Sequence, residues 1–295
     1  MDSFEYFSFY IFPIIILAIG FVGNYLGFKT MQRPKMIEIG PRNTYKYLFI
    51  SDTIYLVLII GTYLQYSFNI DPTILSNVIC KLWWYIVFSF DSQSSMLLVY
   101  ISIDRYVSIK IPSFRYFMRK RNNQLIFYIM KLMFNLIYYL PVVYNVTLIR
   151  TNETLICTYK YQYSQQLILY MDLANLLIFP STLILIFSIL LGVEVIKSRS
   201  RILDNFLKEE NEFFFKNLSL TISSIVLNII YLLLVTPISI YSFLPDLTET
   251  NGFVFSYYLF YLTYSINFYV LFISNSLFRK ESILFLKGSI KRLFN

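Results

Sequence analysis

The stretch from Cys80 to Lys110, CKLWWYIVFSFDSQSSMLLVYISIDRYVSIK, decides the class of this chain. It is apolar and aromatic over most of its length, with a cysteine at its start and Asp104-Arg105-Tyr106 near its end. Twenty-five residues from Cys80 to Arg105 rise roughly 37 Å as a helix, enough to cross a hydrocarbon core of about 30 Å. A spanning helix therefore puts Cys80 and Arg105 on opposite sides of a bilayer. At about 100° per residue, Cys80, Asp91, Ser94 and Arg105 project within a sector of roughly 60°. A lipid-facing charge is costly, so this stripe should look into a helix bundle or a wet cavity. Leu97, Leu98, Val99 and Ile101 are then expected to pack or to touch lipid.

Composition agrees. The 295 residues are 57% hydrophobic, 20% aromatic and only 14% charged, with a mean hydropathy of +0.59, which marks an integral membrane protein. A net charge of +8 would suggest nucleic acid in a soluble protein. Here it reads as basic loops facing anionic lipid on the cytoplasmic side, with no nucleic-acid partner. Two cysteines and no histidine leave no basis for a zinc site or for Cys/His or Ser/His catalysis, so no enzyme is expected.

Cys80, twenty-four intervening residues and Arg105 within Ser102-Ile103-Asp104-Arg105-Tyr106 resemble the third helix of rhodopsin-like (class A) G-protein-coupled receptors. The resemblance implies an all-α, seven-transmembrane helix bundle with a C-terminal amphipathic helix, residues 1–295 forming a single domain. Apolar runs place the spans at about 7–28, 47–68, 80–109, 124–146, 165–195, 217–244 and 253–273, and the amphipathic helix at about 278–294. The segment before the first span carries Asp2 and Glu5 and no basic residue, unlike a signal peptide. Residues 31–46, with Pro34 and Pro41, read as a short basic loop.

The family resemblance extends through the other spans in a departed form. Gly23-Asn24 matches the first helix, where the family's asparagine bonds between helices; Asp52 matches the second and Pro180 the fifth. Pro237 keeps the kink of the sixth helix, but Val235 replaces its tryptophan, and of Asn-Pro-x-x-Tyr in the seventh only Asn267 stands. The fourth helix lacks its usual tryptophan, and Lys131 within it reads as snorkelling toward the basic loop below. Loops assigned inside hold about twenty Lys and Arg, whereas the outer segments hold Lys81, Arg150 and Lys160. The chain is therefore expected in the plasma membrane as a multi-pass protein, N-terminus extracellular and C-terminus cytoplasmic.

Site residues follow from the resemblance. Asp104, Arg105 and Tyr106 take the place of the G-protein coupling switch. No acid stands at Asn217 or its neighbours to lock Arg105, so a weak closed-state latch is expected, with Thr221 offering a neutral hydrogen bond. Asp52, Ser94 and Asn267 match the family's sodium site; the alternative is a protonated, hydrogen-bonded Asp52, and no other cofactor is expected. Tyr261 stands where opsins carry the retinal lysine, and Val87 where amine receptors carry an aspartate. Asp91 and Asp172 should line the outer cavity and favour a cationic ligand, for which a neuropeptide of the Arg-Phe-amide (FMRFamide-like) kind leads, with Trp83, Trp84, Tyr257 and Tyr261 available to stack on it.

Cys157 lies in the polar outer segment 150–164, on the same side as Cys80, and is the one partner open to it for a disulfide bond. Asn152-Glu153-Thr154 is the better N-glycosylation acceptor, Asn145-Val146-Thr147 lying close to the membrane. The expected partners are an extracellular ligand, a heterotrimeric G protein and membrane lipid. Two other readings stand beside this one: a small ion transporter or channel using Asp52 and Asp91, and a receptor-derived protein that no longer signals.

Overall fold

A computed structural model describes residues 10–38, 41–68, 70–111, 116–118, 120–150, 155–204, 208–243 and 251–293. Prolines punctuate the first helices. Pro13 sits in the first turn of α1 (Phe12–Met31), where a missing N–H costs nothing, and a 3-10 turn, Pro34–Glu38, follows. Helix α2 (Arg42–Phe68) starts directly after Pro41, so the basic loop is shorter than the sequence suggests. Asp71 is a cap rather than a free outer acid, since its carboxylate accepts from the Thr73 N–H at 2.8 Å and opens the 3-10 turn Pro72–Leu75. Ser76 then accepts from the Ile79 N–H and begins α3 (Asn77–Lys110).

Helix α4 (Arg121–Tyr138) stops earlier than the apolar run predicts, because the chain bends at Tyr139 before a short helix, Leu140–Asn145, that carries Pro141 in its first turn. Strands β1 (Val146–Arg150) and β2 (Leu155–Tyr159) then pair antiparallel, with Leu148 opposite Cys157. This hairpin is an addition to the all-helical expectation. It is pinned to the start of α3 by the Cys80–Cys157 disulfide and by Asn77 Oδ1, which accepts from the Leu148 N–H at 3.1 Å.

Helix α5 runs through Gln162–Asp172, a π-helical stretch Leu173–Ile178, and Phe179–Asp204. Helices α6 (Lys208–Phe243, with Pro237 inside), α7 (Asn251–Ser274) and α8 (Ser276–Leu293) complete the chain. Asn275 joins the last two, its Oδ1 accepting from the Phe278 N–H at 2.9 Å.

Packing follows a closed ring of α1, α2, α3, α5, α6 and α7, with α7 returning to α1 and α4 lying outside against α3 and α2. Close approach in the α1–α7 seam requires Gly20: a methyl there would stand 2.5 Å from both Ser265 Oγ and Leu56 Cδ1. Helix α3 is the axis, 72% of its apolar window being buried against 22% for the windows of α4 and α5. Leu97, Leu98, Val99 and Ile101 are all buried, so this face packs and does not touch lipid. Among the described residues six helices, α1 to α6, are long and apolar enough to cross a membrane, and the chain is a multi-pass, predominantly helical membrane protein.

Candidate functional site

The polar stripe on α3 meets partners at three depths. Toward the hairpin end, Cys80 is buried with Tyr139, Val142, Val146 and Ile168, and its disulfide closes β2 over the bundle. Below it lies a cavity of about 230 Å³. Asp91, Val87 and Trp84 from α3, Asp172 from α5 and Tyr261 from α7 all line it, and Tyr257 does so too. Trp83 does not; it turns toward α2 and fills the space over Gly61. Asp91 and Asp172 are the charged residues among those lining the cavity. Their carboxyls lie within hydrogen-bond reach of each other, and Asp91 Oδ1 is buried with no hydrogen-bond partner.

Behind the acids is a polar layer that the sequence reading missed. Lys131 is only 9% exposed and does not snorkel to the surface: its Nζ donates to Asn175 Oδ1 at 2.8 Å and lies over the Phe134 ring. Asn175 Nδ2 reaches Ser92 Oγ at 2.9 Å and the Tyr139 hydroxyl at 3.2 Å. Tyr139 in turn donates to Asp172 Oδ1 at 2.9 Å. Asn135, one turn after Lys131, donates to the Ser89 carbonyl at 2.9 Å and fixes α4 to α3. A polar group at this depth finds no water, so the cheaper arrangement satisfies each against another helix. Lys131 with Asn135, and Asp172 with Asn175, are pairs at helical spacing, and that periodicity was the signal available in the sequence.

At the middle depth, Asp52 is fully buried. Ser94 Oγ donates to its Oδ1 at 2.5 Å and Asn267 Nδ2 to its Oδ2 at 2.8 Å, so the three predicted residues converge. One carboxylate beside a hydroxyl has the donor chemistry of a hard monovalent cation site. Both carboxylate oxygens already accept from protein donors, and the triad is closed by hydrogen bonds as it stands. Asn24 bridges nearby, its Nδ2 donating to the Tyr264 carbonyl at 3.0 Å.

At the far end, Arg105 Nη2 and Asp104 Oδ2 form a buried ion pair at 2.6 Å, while Arg105 Nε and Asp104 Oδ1 have no hydrogen-bond partner. Tyr106 packs on Phe187 of α5, ring centroids 6.0 Å apart. Asn228 ties α6 to both α3 and α5: its Nδ2 donates to Ser102 Oγ and to Ser188 Oγ, each at 2.8 Å. Lys110 pairs with Glu194 across α3 and α5 at 3.1 Å. Asn152 lies outside the described residues.

A multi-pass bundle with a disulfide-capped cavity at one end and a buried acid–arginine pair at the other has the build of a helical membrane receptor. The sequence profile of the 7 transmembrane receptor (rhodopsin family) matches residues 43–275, and the chain belongs to that family. No curated protein matches it.

Proposed function

We propose that this chain is a receptor that couples an extracellular cationic ligand, a short amidated peptide of the Arg-Phe-amide kind, to a heterotrimeric G protein. The observation that carries the reading is the convergence of Asp91, Asp172, Val87, Trp84 and Tyr261 on one cavity whose charged lining is two carboxyls. Two adjacent carboxyls in an apolar cavity ionise together only beside a cation, and a guanidinium or ammonium can take the place of the proton they share while the aromatic walls take its hydrophobic neighbour. A volume of about 230 Å³ suits the terminal side chains of a peptide, the remainder staying outside under the hairpin.

Residues 1–295 form one seven-helix domain in this reading, α7 being the seventh span and α8 lying on the inner membrane surface. It sits in the plasma membrane with its N-terminus outside. Ligand binding biases the bundle toward a form whose inner face admits the G protein. Arg105, held by Asp104 in the closed form, then exchanges that partner for the G protein, a role suited to a charge that never deprotonates. Asp52 and Ser94 would hold a sodium ion, which would supply a counter-charge favouring the closed form.

The test is agonist-independent and peptide-evoked G-protein activation in cells, comparing wild type with Arg105→Ala at matched surface expression. The expected result is a wild-type signal abolished in Arg105→Ala and an evoked signal lost in Asp91→Asn and Asp172→Asn. A signal indifferent to Arg105 overturns the mechanism.

A further inference from the structure

Two acids form the polar base of the cavity, and one fixed cation stands a layer behind them. Lys131 does not line the cavity, yet a directed chain of hydrogen bonds joins it to Asp172. Its ammonium donates to the Asn175 carbonyl oxygen, the Asn175 amide donates to the Tyr139 hydroxyl, and that hydroxyl donates to the Asp172 carboxyl. Every donor points the same way, so the positive end of each group faces the acid and the bonds polarise one another. Asp91 Oδ1 is left as an unpartnered acceptor.

We propose that Lys131 is the built-in counter-charge of the ligand cavity and makes the site selective for ligands presenting a single positive charge. The proposal rests on the cationic-ligand reading above. A cation entering the site displaces the proton that the two adjacent carboxyls share; of the two carboxylates then present Lys131 balances one, and one negative charge is left for the ligand to neutralise. A second positive charge would be buried in an apolar cavity without a partner, and burying an unpaired charge is costly. The flat aromatic surfaces of Trp84, Tyr257 and Tyr261 fit one planar cation and offer nothing anionic to a second. Lys131 is thus a positioning and selectivity residue that acts through Asn175 and Tyr139 without touching the ligand.

The experiment uses the full chain in lipid nanodiscs and reads thermal unfolding against two probes, phenethylguanidinium with one charge and a benzene-1,4-bis(methylguanidinium) with two. Wild type is expected to prefer the monocation by about tenfold, the cost of one uncompensated unit of charge in a partly screened site. Lys131→Gln keeps an N–H donor for Asn175 and removes the charge, so it should shift the ratio toward the dication by about tenfold, whereas Lys131→Arg keeps the wild-type ratio. Combining Lys131→Gln with Asp91→Asn restores one net negative charge and should restore preference for the monocation. An identical ratio in wild type and in the double and single Lys131→Gln proteins overturns the proposal and leaves Lys131 a tie between α4 and α5. If neither probe raises the wild-type unfolding temperature, the cationic reading itself falls and takes this proposal with it; that failure is read before any Lys131 variant is made.

Discussion

Tyr139 joins the cavity to the polar layer behind it, with its hydroxyl accepting from Asn175 and donating to Asp172 while its ring stacks on Phe88 at 5.6 Å. Tyr139→Phe preserves the stacking and strips both bonds; the Asn175 amide keeps Ser92 Oγ and Asn135 Oδ1 as acceptors, whereas the buried Asp172 carboxyl loses its Tyr139 donor. The expected loss is about 1–2 kcal/mol of stability, seen as a lower unfolding temperature of the purified chain. An unchanged transition would mean that Asp172 finds another donor on relaxation. Asp52 offers a second residue-scale test, because sodium and hydrogen bonding make opposite forecasts there. If Asp52 and Ser94 hold the ion, exchanging sodium chloride for choline chloride lowers the unfolding temperature of wild type and leaves Asp52→Asn indifferent. Equal indifference in both proteins assigns the site to the hydrogen bonds from Ser94 and Asn267 alone.

At the scale of elements, neutral groups at Asn228 and Tyr231 tie α6 to its neighbours. The absence of an acid near Asn217 predicts a weak latch on Arg105, and deeper in the bundle Asn228 carries hydrogen bonds to both α3 and α5. One turn further out, the Tyr231 hydroxyl donates to the Leu176 carbonyl at 3.0 Å, inside the π-helical stretch of α5. Asn228→Leu removes both inner bonds at nearly constant size. Spin labels at Ile111 and Ile222 should then report a distribution shifted to longer separations, and an unmoved distribution would show that packing alone holds α6 against α3. The helical, multi-pass character was legible in the sequence because hydropathy and Pro41, Pro180 and Pro237 act locally. The π-helical stretch was not, since nothing in Leu173–Ile178 departs from ordinary helix-compatible composition and the widened turn depends on what Asn175 and Leu176 meet across the bundle. The same holds for Lys131: distance to the basic loop suggested snorkelling, and only the position of Asn175 on another helix turns its ammonium inward. Cavity residues were readable to the extent that polar groups on α3 share one helical face, and Trp83, its neighbour Trp84 lining the cavity, escaped that rule by packing over Gly61.

For the whole molecule, orientation is the property on which every site assignment depends, because the cavity and the Arg105 pair exchange roles if the bundle is inverted. Charge asymmetry predicts the hairpin end outside, and N-linked glycan addition tests this directly since the transferase acts on the lumenal side. Of the acceptor patterns at this end, Asn145 is a poor substrate: its Nδ2, the atom that would carry the glycan, donates to the Pro141 carbonyl at 2.9 Å, and its Oδ1 accepts from Ser164 Oγ at 2.9 Å. Asn152 follows β1, four residues beyond Leu148, which Asn77 holds against α3. Expressed in cells, the chain should lose one increment of apparent mass on glycosidase treatment. Asn152→Gln should abolish that shift, while Asn145→Gln and Asn217→Gln leave it intact. Modification at Asn217, where Asn217-Leu218-Ser219 is also an acceptor pattern and which lies on α6 toward the opposite end, would invert the bundle, and with it the assignment of Asp91 and Asp172 to a ligand arriving from outside.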